Sequence, residues 1–165
     1  VSAGAIALVP LVDALRPAVL AMEIEPRLAR FSGPPRATVP MADADRARES
    51  VVILRDGVPV GYFHLDRNGV PGAPAGPEIL GLRALMIDRR AQGEGIATAA
   101  MSALPSYVRE RFPDHRTVAL TVNVDNPAAI AAYTRAGFVD AGTGLWLGGT
   151  AGPQQVLLLD VPPTA

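Results

Sequence analysis

Cysteine and lysine are both absent from this 165-residue chain, histidine occurs twice, and aromatic residues make up only 5%. Without cysteine there is no disulfide, no thiolate nucleophile and no thiolate-ligated metal. His64 and His115 form neither an HxxxH nor an HExxH spacing, so no metal is expected. All 15 cationic side chains are arginines, which excludes the phosphate loop GxxxxGK[ST] and its nucleotide triphosphate chemistry. A long hydrophobic run is missing too. The apolar opening VSAGAIALVPLVDALRP has no basic leader and is interrupted by Asp13 and Arg16 before a membrane span is complete. The chain therefore reads as a cytoplasmic soluble protein with no membrane partner. Formal net charge is −1, so no nucleic acid partner is expected and any anion site must be local. This length suits one domain, residues 1–165.

What is present punctuates clearly. AIALVPL (5–11) predicts an edge strand giving way to a helix through DALRPAVLAM, with Pro17 kinking or splitting it. Residues 24–49 mix proline, glycine and charge and predict one or two short helices. VVIL, the turn RDG and VPVGYFHLD read as a β-hairpin, because Asp56-Gly57 supplies positive φ. After the loop at 67–77, EILGLRALMID has apolar residues on both alternations, as a central strand does. IATAAMSALPSYVRERF places Ile96, Ala99, Ala100, Leu104 and Val108 near one helical stripe, with Pro105 expected to kink it. HRTVALTVNVD is a β-branched strand, and the next helix is marked by Asn126 as N-cap, Pro127 at N1 and Gly137 at the left-handed C′ position. FVDAGTGLW and QQVLLLDV predict a second hairpin. Strand-helix-strand units in the middle and hairpins at both ends imply a mixed sheet, an α/β fold.

ALMIDRRAQGEGIA (84–97) stacks two arginines and two glycines where that central strand hands over to a helix. The first amides of a helix lack partners and the macrodipole is positive there, so an anion fits. Gly93 and Gly95 let it approach the backbone, and Arg89 and Arg90 supply charge-assisted bonds. Arg89 reads equally well as a solvated charge. The dinucleotide fingerprint fails, since Thr98 stands where a third glycine is required.

Arg90-x-x-Gly93-x-Gly95 resembles the [QR]-x-x-G-x-[GA] signature of the GNAT N-acetyltransferase superfamily. Asn126-Pro-Ala-Ala129-Ile130-Ala-Ala-Tyr133-Thr-Arg-Ala-Gly137-Phe138 is similar to that family's N-x-x-A-[IR]-x-x-Y-x-x-x-G-F segment. The resemblance implies a GNAT-like fold, a mixed sheet of about six to seven strands flanked by about four helices, and acetyl-CoA as cosubstrate. It implies that the amides of Gln92, Gly93, Gly95, Ile96 and Ala97 hold the pyrophosphate, with Arg90 at the motif position. It places the thioester carbonyl at the strand end Leu85, Met86 and Ile87, and the pantetheine arm beside Asn126. Tyr133 is the implied catalytic acid, protonating the departing thiolate; packing on an apolar helix face is the other reading. Gly137 and Phe138 read as structural.

The expected reaction is direct attack of a primary amine on the thioester. Positions 80–87 hold no carboxylate, only Arg83. Glu78 and Asp88 flank the strand, and no general base is assigned. EPRLARF (25–31) and LMIDRRAQGEG resemble stretches of some bacterial diamine and polyamine acetyltransferases, with Leu28 where those relatives often carry glutamine. Glu23, Glu25, Asp43 and Asp45 would hold distant ammonium groups if they converge. The alternative is an acyl-CoA-binding or sensing module without turnover. A homodimer through the sheet edges is compatible with such an open sheet.

Overall fold

Asp56 and Gly57 close the first hairpin with φ values of +50° and +82°, the positive pair that matches a two-residue turn to strand twist. They join β2 (Arg48–Arg55) to β3 (Val58–Asp66). In the computed structural model, which describes residues 3–164, the sheet grows from this hairpin in both directions. β1 (Ile6–Pro10) adds antiparallel to β2, and β4 (Ile79–Ile87) adds antiparallel to β3. β5 (Thr117–Asn123) then runs parallel to β4, β7 (Gln154–Asp160) is antiparallel to β5, and β6 (Val139–Asp140) forms the far edge. The seven-stranded order is β1-β2-β3-β4-β5-β7-β6, so the sheet is mixed, with β1 at an edge and β4 central. Val1, Ser2 and Ala165, which the expected domain includes, lie outside the described residues.

Side-chain alternation along the strands supplies a core to each face. Val51, Ile53, Phe63, Leu65, Leu80 and Leu120 pack beneath α3 (Ile96–Arg111), which buries Ile96, Ala100, Met101, Leu104, Tyr107 and Val108. Ala99 of the expected stripe is only half-buried, while Met101 and Tyr107 join it. α4 (Pro127–Arg135) adds Tyr133 to the same cluster, with Phe138 beyond its end. On the opposite face α1 (Arg16–Leu20) and α2 (Pro35–Asp43) bring Val19, Met22 and Val39 onto Val52, Tyr62 and Met86.

Three local expectations change. Pro17 stands in the first turn of α1 and starts that five-residue helix rather than kinking a longer one. α3 runs through Pro105 as one helix of 16 residues, anchored near its end by Tyr107 and Arg111, which both donate to Glu49 of β2 at 2.6 and 2.8 Å. The first limb of the C-terminal hairpin shrinks to two residues plus a bridge from Trp146 to Gln154, because Gly142 and Gly144 turn the chain with φ of +74° and +77°.

Tyr62, His64 and Asp66 alternate along β3. Tyr62 shares a short hydrogen bond with Thr38 of α2. Asp66 is buried and receives Nε of Arg48 at 3.0 Å and Nε of Arg83 at 2.8 Å. His64 is 2% exposed, bonded at Nδ1 to the Ser50 hydroxyl, with Nε2 unpartnered. Burial, reinforced by Arg48 and Arg83 and opposed by Asp43, lowers its pKa from 6.5 to about 4. Between those values the unfolded chain takes up a proton that the folded chain refuses. Stability is therefore full above the upper value and is lost as pH falls towards the lower one. Urea unfolding should weaken by about 2 kcal/mol from about pH 7 to about pH 4.5 through this residue, and His64→Leu should flatten the slope.

Candidate active site

β4 and β5 pair only through Ile79, Leu80 and Gly81 opposite Thr117, Val118 and Ala119. β4 continues to Ile87 and β5 to Asn123 without further pairing, so the two strands part. A cleft of about 400 Å³ fills the gap, lined by Leu82 to Ile87 on one side and Thr121 to Asn123 on the other. Gly81 marks the place of separation: a Cβ there would meet the carbonyl carbon of Gly69 at 2.5 Å, so the 69–71 loop lies directly on the strand.

Within the parted stretch β4 carries a bulge. Tyr62 faces Met86 and His64 faces Arg83, leaving Phe63 opposite both Ala84 and Leu85. Ala84 has φ +56°, a left-handed conformation costing a non-glycine residue roughly 1–2 kcal/mol. Ala84 and Leu85 have register partners on neither β3 nor β5 and both line the cleft. An unpaired backbone segment at a strained residue is the arrangement that offers amides to a ligand oxygen.

The strand end leads into a 3₁₀ turn, Arg89–Ala91, capped by the Asp88 carboxylate. Gln92 donates Nε2 to the Ile87 carbonyl at 3.0 Å and lines the cleft. Gly93 and Gly95 both have positive φ, +78° and +76°, and nothing lies within 4 Å of where a Cβ would stand. Gly95 is the N-cap of α3 and no side chain caps that helix. The first amides of α3 thus have no side-chain cap; Ala97 stands on the cleft wall, while Ile96, 2% exposed, anchors the helix start in the core. Arg89 and Arg90 lie outside the cleft lining. Arg90 is bound by Asp88 at 2.7 Å with its side chain 74% exposed, and Arg89 stands near Glu23 and Glu25 at 4.0 and 3.9 Å.

Across the cleft Asn126 caps α4, accepting from the Ala129 amide at 3.3 Å. Ala128, Ala129 and Ala132 give that helix a low-profile wall. Tyr133 follows on the same wall, 7% exposed, its ring edge-on to Phe138 at 5.3 Å. Its hydroxyl has no hydrogen-bond partner among the described residues. Burial raises its pKa, so the phenol stays protonated at neutral pH.

In the other half of the cleft the sequence points to EPRLARF (25–31) and to Arg83, while Ile24, Val70, Pro71 and Trp146 carry no signal. Ile24, Leu28, Phe31, Val70, Pro71 and Trp146 form its apolar walls, and Ser32, Arg83, Thr121, Asn123 and Gln154 are its polar points. Among the described residues no carboxylate lines the cleft. Glu23 and Glu25 face Arg89, Asp43 binds Arg16 at 2.7 Å and Asp45 sits 3.4 Å from Arg48, so the four acids do not converge there. Asp88 is committed as well: burial acts to raise its pKa, but hydrogen bonds from Arg90 and the Glu23 amide hold it below the ordinary value. Among the described residues no group of three or more acids and histidines could hold a metal, and no helix is long and apolar enough to cross a membrane.

The profile of the acetyltransferase (GNAT) family matches residues 17–138. A Bacillus subtilis (strain 168) protein, the uncharacterized N-acetyltransferase YbbJ, is 34% identical over 115 residues, covering 68% of this chain and 72% of that protein. The fold is similar to aminoglycoside acetyltransferase AAC(6')-Ib in complex with coenzyme A, with TM-score 0.75 and 17% identity over 94% of this chain and 95% of that one. It is similar also to spermidine N-acetyltransferase from Vibrio cholerae in complex with CoA and spermine, with TM-score 0.70 and 16% identity over 94% and 95%. At these identities the structural likeness concerns the fold.

Trp146 reaches its place over the 69–72 loop because Gly72 has no side chain; a Cβ there would collide with the indole, and φ is +84°. Trp146 is the only tryptophan in the sequence. Gly72→Ala should therefore expel it, read as a red shift of intrinsic fluorescence with the far-UV dichroism retained.

Proposed function

Because this chain belongs to the GNAT family of acetyltransferases, we propose that it binds acetyl-CoA between β4 and β5 and transfers the acetyl group to a primary amine by direct attack on the thioester. The observation that carries this reading is the junction of three features on one cleft: the uncapped start of α3, the Ala84–Leu85 bulge and the hydroxyl-bearing Tyr133. The amides of Gln92, Gly93, Gly95, Ile96 and Ala97 receive the pyrophosphate, helped by the α3 dipole. Arg89 and Arg90 flank this end from outside the cleft lining, each partnered by acids, and leave the contact with phosphate to the backbone amides. The pantetheine arm runs past Asn126 and the alanine wall of α4.

At the bulge, backbone amides from Leu85 to Ile87 polarise the thioester carbonyl, and a donor aimed at developing oxyanion charge is the largest single aid to acyl transfer. The amine nitrogen bonds to the carbonyl carbon, the C–S bond breaks, and the Tyr133 hydroxyl gives its proton to the departing sulfur. The nitrogen's surplus proton passes to solvent, from which the tyrosinate is reprotonated.

With no carboxylate on the cleft, the amine must arrive neutral. At about pH 7.5 a peptide-like α-amine with pKa about 7.7–8.0 is roughly a third neutral, whereas an amine near 10.4 is about one part in a thousand. A di- or polyamine acceptor, the narrower expectation, lacks both the acids to hold it and the easy deprotonation. An acyl-CoA-binding module without turnover is the second reading, and the missing base is what favours it. Residues 1–165 are read as one acetyltransferase domain, supported by a sheet whose strands run from Ile6 to Asp160.

Tyr133→Phe should lower kcat by about a hundredfold or more while acetyl-CoA affinity by calorimetry stays nearly unchanged; an unaltered rate removes the acid role. Gly93→Asp, placing a charge at a positive-φ site, should abolish acetyl-CoA binding. For any accepted amine, kcat/KM should rise tenfold per pH unit up to the pKa of the acceptor itself, and a limb independent of the acceptor would reveal a base.

A further inference from the structure

Among the described residues Arg83 is the only charged side chain on the cleft lining. Its guanidinium is fixed by two bonds, Nε to Asp66 at 2.8 Å and Nη2 to the Gly69 carbonyl at 3.1 Å. Nη1 has no partner among the described residues, and the side chain is 29% exposed. Its carboxylate partner is shared: Asp66 Oδ2 also takes Arg48 Nε at 3.0 Å, and Oδ1 accepts the Asn68 amide at 2.8 Å. Arg48 is also 3.4 Å from Asp45, so the two arginines and two aspartates balance in charge, and what Arg83 has left to offer is its unpartnered Nη1. Around it stand the apolar walls of Ile24, Leu28, Phe31, Val70, Pro71 and Trp146. A cation held rigidly beside apolar surface, with no acid nearby in the cleft, repels ammonium groups and attracts a carboxylate.

Resting on the acetyl-transfer reading above, we infer that the acceptor is a primary amine that itself carries a carboxylate and an apolar body, the chemistry of an apolar amino acid, and that Arg83 anchors the carboxylate. Arg83 directly precedes the Ala84–Leu85 bulge, so an acceptor anchored there keeps its amine close to the thioester carbonyl. Arg83 is a specificity-determining residue rather than a participant in proton transfer. The fixed fork adds geometry to charge, because guanidinium and carboxylate match in pairs of parallel bonds.

The test compares matched acceptors: leucine with isopentylamine and phenylalanine with phenethylamine, read as thiol release from acetyl-CoA. Taken per neutral amine, because the α-ammonium of an amino acid is more acidic than the matched alkylammonium, kcat/KM of the wild type should favour the carboxylated member by roughly ten- to hundredfold, mostly through KM. Arg83→Gln should bring the ratio within each pair close to one, and Arg83→Lys, which keeps the charge and loses the fork, should give an intermediate ratio. The ratio is insensitive to partial loss of folded protein. A ratio near one in the wild type, or one unchanged in Arg83→Gln, overturns the assignment, as does acetylation of spermidine in preference to both pairs. Failure to bind acetyl-CoA, or binding with no thiol release from any amine in a broad panel, would remove the acetyl-transfer reading and this assignment with it.

Discussion

Three residue pairs between β4 and β5 hold together a sheet that then divides. Everything chemical in the molecule depends on that short parallel contact. It is long enough to join the β1–β4 half to the β5–β7 half, and it stops before the strands have buried their facing edges. The unpaired edges do not stay empty: one acquires a bulge at Ala84, and the other ends at Asn123, whose side chain donates to the Ala151 carbonyl at 2.5 Å and accepts from the Asp125 amide at 2.8 Å. Helices α3 and α4 start where the strands end, so their N-termini face the same opening.

The two halves of the opening handle charge by different means. Beside α3 the positive potential comes from backbone amides at two glycines, and the nearby arginine side chains are occupied by acids. Beside β3 it comes from one guanidinium, held by Asp66 and the Gly69 carbonyl. A chain with no lysine has thus placed a fixed, planar cation at the one point of the cleft where, among the described residues, a side-chain charge appears, in keeping with the preference of guanidinium for partly buried ion pairs.

Local signals were legible and long-range ones were not. Asp56-Gly57, Asn126-Pro127 and Gly137 announced their turns and caps because the preference for positive φ or for capping resides in the residue itself. The GNAT motifs likewise singled out the turn at Gly93 and Gly95, both of positive φ, and Tyr133, which lines the cleft. Ala84 gave no sign of its bulge, since alanine ordinarily avoids positive φ and only the pairing of β3 with β4 forces it. Arg90 read as an anion ligand because its spacing fits, yet Asp88, two residues earlier, takes its guanidinium. The walls built by Phe31, Val70 and Trp146 come from three loops far apart in sequence, and no periodicity links them. Arg83 was conspicuous as a gap in the expected chemistry; its meaning needed Asp66 and the empty acid complement of the cleft.

The alanine wall of α4 is space created by what the side chains omit. Ala128, Ala129 and Ala132 keep a helix strongly favoured by propensity while holding its surface back from the cleft. At the exposed Ala128 a larger helix-forming residue would keep the helix and put its own atoms into the cleft, whereas at the buried Ala132 it would also crowd the core. At Ala128, then, tolerance to mutation is set by cleft volume before stability.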